Sequence, residues 1–250
     1  MNWGELEYTN DDERITIGMA SIPGRMLGMQ ATIEALLPQC DQFDVYLNNY
    51  PGGFHVPVFD DAKVNVFHGT TDIGARGKLY MAHRTPGYFL TVDDDLIYPS
   101  NYVMTAIAGI EKYKRQAVCG FHGVHFGRDP DPMQPNPRIL YSHAGNVPAD
   151  MIVHMLGTGL LAYHSDTIKI DWRKFEPGKI DEQTAILCQE QRIPMICLAH
   201  PEDFVVEDAD LMYVDALRRN KPASQKAIER QQREWHFYIP QCWKDHQRFP

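Results

Sequence analysis

An α/β sandwich with a mainly parallel central sheet is the fold this sequence predicts. Three observations lead there: short apolar runs bounded by turn residues, apolar positions at helical spacing between them, and regular alternation of the two patterns. Ile15–Ser21 (ITIGMAS) is too short for a stable helix and is closed by Pro23-Gly24, so it reads as a buried parallel strand. From Arg25 onward Met26, Leu27, Met29, Ile33, Leu36 and Leu37 recur at helical spacing, predicting a helix that packs on the sheet and stops before Pro38. Asp44–Leu47 and Val64–His68 are the next strands, separated by a loop carrying Pro51-Gly52-Gly53 and Pro57. A helix through about Lys78–His83 leads past Pro86-Gly87 into the strand Tyr88–Val92, which runs directly into Asp93-Asp94-Asp95. An amphipathic helix over about Asn101–Tyr113 and a strand Ala117–Phe121 follow. Gly127–Pro137 is dense in Pro, Asp and Asn and reads as a mobile loop. Beyond it come a turn and strand around Leu156–His164, a helix of about Asp181–Gln191 and a strand Met195–Ala199.

The 250 residues make one large domain, or one domain with an extension. Apolar residues at 44% and charged residues at 23% are ordinary globular usage and exclude a disordered or fibrous chain. A net charge of −9 argues against nonspecific nucleic-acid binding, which needs excess Lys and Arg. Five widely spaced Cys without a CxxC fit reduced thiols of a cytoplasmic protein. Met1–Glu13 is polar and acidic, unlike a secretory signal, and the most apolar stretch, Ile152–Tyr163, is too short to span a membrane. Ala223–Pro250 alternates basic residues with aromatics. It reads either as a peripheral membrane element, as a cover for the site, or as a helix packed on the core.

Ligands of such sheets gather at the carboxyl ends of the strands, which nominates the acidic triplet. Three Asp at the end of an apolar strand are costly unless neutralised. In an extended segment the first and third side chains point the same way, so Asp93 and Asp95 converge on one cation. Hard oxygen donors suit Mg²⁺ or Mn²⁺ and leave coordination positions for a substrate phosphate. The plain alternative is a solvated acidic turn capping the next helix. His122 and His125 suggest a second metal pair, but i and i+3 on a strand face opposite sides.

Tyr88–Pro99 (YFLTVDDDLIYP) resembles the DxD region of GT-A-type glycosyltransferases, in particular bacterial family-2-like enzymes with a DDDxxYP segment. Ala20–Arg25 (ASIPGR) resembles the family's base-binding loop, and Asp72–Tyr80 (DIGARGKLY) its approach to the nucleotide and sugar. Leu156–Gly159 (LGTG) is similar to the acceptor-side loop, and Asp181-Glu182 to the acidic pair opening the catalytic helix. These blocks occur in the family's order over about residues 14–205.

The resemblance implies a GT-A-like (Rossmann-like) domain over 1–205 and a C-terminal helical extension over 206–250, packed on the domain or covering the acceptor side. It implies a metal-dependent enzyme that moves a sugar from a nucleotide-sugar donor to a hydroxyl of a glycan, a lipid-linked glycan or another acceptor. Mn²⁺ or Mg²⁺ would sit on Asp93 and Asp95, with His200 as a third ligand by analogy. Ser21, Pro23, Arg25, Asp72, Gly74, Arg76, Lys78 and Asp94 would face the donor, and Gly157, Thr158 and Gly159 the acceptor. Asp181 would be the base, with Glu182 next; the order here is Asp-Glu where many family-2 enzymes have Glu-Asp. Gly127–Pro137 would close as a lid, with Arg128 or Arg138 reaching the diphosphate. Two rivals stand beside this reading: a nucleotidyltransferase of related fold, and a noncatalytic carbohydrate- or partner-binding domain.

Overall fold

A computed structural model of the chain describes residues 11–126, 138–208 and 238. The first strand, β1 (Ile15–Ser21), and the first helix, α1 (Met26–Leu36), are followed by β2 (Gln42–Leu47), β3 (Val64–His68), β4 (Tyr88–Val92) and β5 (Leu96–Ile97). Then come α2 (Tyr102–Lys112), β6 (Val118–Gly120), β7 (Gly123–Phe126), β8 (Arg138–Tyr141), β9 (Met151–Val153), β10 (Met155–Leu156) and β11 (Leu160–His164). The described part closes with α3 (Ile180–Gln191), β12 (Met195–Cys197) and β13 (Val206–Glu207). Eight strands form one sheet in the order β3-β2-β1-β4-β11-β6-β12-β9, while β10-β7-β8 and β13-β5 make two small ones. The large sheet is mostly parallel: only β11 and β9 run against the other strands. After β1 the chain builds β2 and β3 on one side and then returns to lay β4 on the other. A crevice therefore opens between the ends of β1 and β4, where such sheets bind ligands.

Both faces of the sheet are covered, which is why its strands read as continuous apolar runs. Ile17, Met19, Leu90, Val92, Ala162 and Ile196 point to one face and pack with Met29, Ile33 and Leu36 of α1 and Val103, Ala106 and Ile110 of α2. Their alternates Phe89, Val118, Leu161, Tyr163, Met195 and Cys197 point to the other face, against Ile180, Ala185 and Cys188 of α3. The mixed α/β architecture with a mostly parallel sheet is thus the predicted one. β1, β3 and β4 have the predicted bounds. The strands expected at Ala117–Phe121 and Met195–Ala199 are shorter, Val118–Gly120 and Met195–Cys197.

Three expectations need correction. Leu27 is 70% exposed, because it lies roughly 160° around α1 from the Met29–Ile33–Leu36 seam at 100° per residue. The helix expected over Lys78–His83 is instead a 3-10 helix, Gly74–Leu79, continued by turns. Gly74 begins it at φ +62, a left-handed conformation suited to glycine, and Asp72 Oδ1 accepts the Gly74 N–H at 2.8 Å. The acidic triplet is not extended: β4 ends at Val92 and Asp94-Asp95 form a turn before β5, so strand alternation does not govern it.

Cys40, Cys119, Cys188 and Cys197 are buried free thiols, and burial pushes each up to about 12 or higher, away from reactivity. No described helix is long and apolar enough to cross a membrane. The expected extension 206–250 begins inside the fold, because β13 pairs with β5 and Asp208 donates its N–H to Asp95 O at 2.9 Å. The rest of that extension and the Gly127–Pro137 loop lie outside the described residues, apart from Tyr238.

The seam of α1 sets a direct comparison. Ile33→Ala should cost about 2–5 kcal/mol in urea unfolding, the toll of a cavity in a fully buried site, whereas Leu27→Ala should stay within about 0.5 kcal/mol. Equal losses would contradict this orientation of the helix.

Candidate functional site

The ends of β1, β2 and β4, the start of β11 and the first turn of α3 surround a cleft of about 610 Å³. Into it the structure brings Ser21, Arg25, Asp72, Gly74, Lys78, Asp93, Asp94, Asp95, Gly157, Thr158, Gly159 and Asp181, blocks far apart in sequence. Four of the nominated residues lie elsewhere. Pro23 starts the short 3-10 helix Pro23–Arg25 and does not line the cleft. Arg76 turns away, donating to Ile73 O and Phe175 O with its guanidinium 5.7 Å from the Trp172 ring. Glu182 sits in the first turn of α3 outside the lining. His200 is buried behind the wall with Nδ1 2.7 Å from Leu198 O and Nε2 3.0 Å from Ser142 O, so neither ring nitrogen faces the acidic triplet.

The triplet is tied down by two cations. Arg25, carried on the turn after β1, places NH1 2.9 Å from Asp94 Oδ1 and 3.0 Å from Asp95 Oδ2. Lys78, 3% exposed, reaches Asp93 Oδ1 from the 3-10 helix. Tyr98 of the same segment fixes the backbone: its hydroxyl accepts the Asp93 N–H at 2.8 Å and donates to Gly159 O at 3.0 Å, joining the end of β4 to the start of β11. Gly159 lies so close to the triplet that a Cβ there would stand 2.0 Å from Asp93 Oδ2.

Two cations against three carboxylates leave one charge unmet, and the titration of the site reflects it. Asp95 is pushed up to about 6, first by burial and then by repulsion from Asp93, with Arg25 pulling the other way. Burial also raises Asp94, against the Ser21 hydroxyl and Arg25, and its buried Oδ2 has no hydrogen-bond partner. This is a set of hard oxygens short of positive charge, with no third His, Cys, Asp or Glu ligand atom close enough to complete a three-ligand group among the described residues.

The two ends of the cleft differ. On the β1–β2 side Asn48, fully buried, accepts the Ile73 N–H at 3.0 Å and donates to Gly74 O at 3.2 Å, which sets the Asp72–Gly74 turn. Tyr50 donates to Ile22 O at 2.8 Å and lies 3.0 Å from Ser21 Oγ, holding the loop after β1. On the α3 side Asp181 Oδ1 accepts the Thr158 N–H at 2.9 Å and the Thr158 hydroxyl. Burial raises Asp181, and the Thr158 hydrogen bonds oppose the rise.

Sequence reasoning missed Asn48, Tyr50, the hydroxyl of Tyr98 and a pair of imidazoles, His122 and His143, on the far wall. Tyr98 sits inside the acidic motif, so its signal was present; Asn48 and His143 carry none, since each matters through a partner distant in sequence. His125, inside β7, lies beside the His154 ring, whereas His122 stands in the turn before that strand and pairs with His143, so the two share no site.

A second group, Asp12, His164 and Asp166, lies at the opposite end of the sheet and brings three potential metal-ligating side chains together. Arg115 already stands there, 2.8 Å from Asp12 Oδ2 and 3.1 Å from His164 Nε2, and supplies the positive charge.

No family model and no curated protein matches this chain.

The raised Asp95 predicts a stability effect with a definite sign. The folded state holds the proton more tightly than the unfolded chain, so below about pH 4 both states are protonated and the site costs nothing. As pH rises through about 6 the cost appears in full, on the order of 2 kcal/mol after solvent screening. With chelator present, Asp95→Asn should therefore raise the melting temperature at pH 8 and leave it nearly unchanged at about pH 3, below the unfolded carboxyl's range. A variant that melts lower at pH 8 would show that Asp95 is not a strained carboxylate.

Proposed function

We propose that the cleft is the active site of a GT-A-like, metal-dependent glycosyltransferase, which moves a sugar from a nucleotide-sugar donor to a hydroxyl acceptor. The observation carrying this reading is convergence. The loop after β1, the Asp72–Lys78 segment, the acidic triplet, the Gly157–Gly159 turn and Asp181 meet around one cleft at the sheet's switch point.

The chemistry follows from the charges. A nucleoside diphosphate leaves poorly until its growing negative charge is met, and a divalent ion on Asp93 and Asp95 supplies that Lewis-acid stabilisation when bound. Arg25 and Lys78 hold the carboxylates until the cleft is loaded, and both then stand within reach of the diphosphate. The nucleoside lies toward Ser21, Asp72 and Gly74, where Asn48 and Tyr50 have fixed the backbone. Asp181 stands on the acceptor side. Thr158 anchors its Oδ1, which orients Oδ2 to take the acceptor's hydroxyl proton, and its raised pKa strengthens it as a base.

Two variants separate binding from chemistry. Asp95→Asn should weaken Mn²⁺-dependent binding of nucleoside diphosphate at least about tenfold in calorimetry with the fold intact, the scale of a lost charge-assisted contact. Asp181→Asn should bind donor almost normally and lose transfer by ~10²–10⁴-fold, the size of general-base catalysis. Unchanged Mn²⁺-nucleotide affinity in the first variant would remove the metal assignment. Loss of donor binding in the second, with transfer falling only in proportion, would remove Asp181 as the base.

A further inference from the structure

Four of the six large apolar side chains exposed among the described residues lie on one side of the molecule, the α1–α2 layer: Leu27 (70% exposed), Ile97 (56%), Met104 (65%) and Val206 (38%). The β5–β13 ribbon there has two faces. Leu96 and Glu207 are paired across it and line the cleft, whereas Ile97 and Val206, paired one position along, point the opposite way. The chain from β5 to α2 runs along α1, since Thr32 Oγ1 donates to Leu96 O at 3.5 Å and Gln39 Nε2 to Pro99 O at 3.1 Å. Leu27 and Ala31 form the outer side of α1, and Met104 and Ala108 that of α2. Apolar surface gathered in this way marks a place of contact.

What covers it follows from where the chain goes. Val206 belongs to the patch, and the chain leaves the described residues soon after, at Asp208, whose N–H is held by Asp95 O at 2.9 Å. The next apolar run holds Leu211, Met212, Tyr213, Val214, Ala216 and Leu217. At no more than ~3.6 Å per residue, Leu211 lies within about 11 Å of Asp208 and Leu217 within about 32 Å, so the run spans the ribbon and both helices. So short a tether gives it an effective concentration that a separate molecule does not match. A lipid surface fits less well. The charged residues of α1 and α2 are Glu34, Glu111 and Lys112, without the basic excess that draws an anionic membrane. We propose that residues 211–217 dock on the apolar face formed by Leu27, Ile97, Met104 and Val206. Because the other face of the ribbon carries Leu96 and Glu207 into the cleft, the docked run braces the cleft wall from behind. The proposal does not depend on the chemistry of the cleft.

Trypsin reads the docking in the full chain, because Arg218 and Arg219 are the first basic residues after Asp208. Met104→Asp and Ile97→Asp on the patch, and Leu211→Asp on the run, should each be cut there about tenfold or more faster than wild type, the scale of one apolar side chain lost from a contact. Ile139→Asp changes an exposed apolar residue on β8, in a different sheet, and should leave the wild-type rate. Melting temperature checks that each variant folds. If Ile97→Asp disturbs the ribbon, Met104→Asp on the helix surface decides together with Leu211→Asp. Wild type cut as fast as the patch and run variants, or Ile139→Asp cut as fast as they are, overturns the proposal. Elution volume and flotation with phosphatidylcholine–phosphatidylserine vesicles, measured on the same proteins, identify other occupants. A patch variant that loses self-association or vesicle binding while its trypsin rate stays at the wild-type value overturns the proposal in favour of a second copy or a lipid surface.

Discussion

Compensation of charge at the end of β4 organises the residues around the cleft. The apolar strand Tyr88–Val92 delivers three carboxylates to the mouth of a buried sheet, and each must find a partner or pay for desolvation. Arg25 on the turn after β1 and Lys78 on the short helix before β4 supply two charges. That demand explains local features otherwise unconnected. The Asp72–Leu79 segment abandons regular helix so that Lys78 can enter, the Tyr98 hydroxyl pins the backbone of the triplet, and residue 159 has no side chain because Asp93 fills the space. Burial and the remaining negative charge hold the Asp95 carboxyl well above its ordinary range, a local cost in stability.

The cleft is graded along the edge of the sheet. Backbone groups held by Asn48 and Tyr50 stand at one end, charge dominates the middle, where Lys78 and Asp93 also act on Asp181, and neutral imidazoles line the wall beyond.

Much of the fold was legible because sheets covered on both faces write themselves as apolar runs, and β1, β3 and β4 appear where the runs are. The site was legible where one segment holds both residue and signal, as in Asp93–Asp95 with Tyr98. It was illegible where pairing is long-range: His122 with His143, Asn48 with Ile73 and Gly74, Asp181 with Thr158. Spacing misled at Leu27, whose apolar character faces solvent, and at Asp93–Asp95, where a turn replaces the extended geometry that alternation assumes. Analogy of position nominates His200, but two backbone carbonyls face its ring nitrogens.

We propose that charge compensation at the end of β4 readies the cleft for a metal-assisted diphosphate leaving group. Turnover of nucleotide sugars with Mn²⁺ and with chelator, analysed for the phosphorus-containing product, tests it most directly. Nucleoside diphosphate should be released only with Mn²⁺, and release should stop with chelator. Release of pyrophosphate, or diphosphate release at the same rate in chelator, would contradict it.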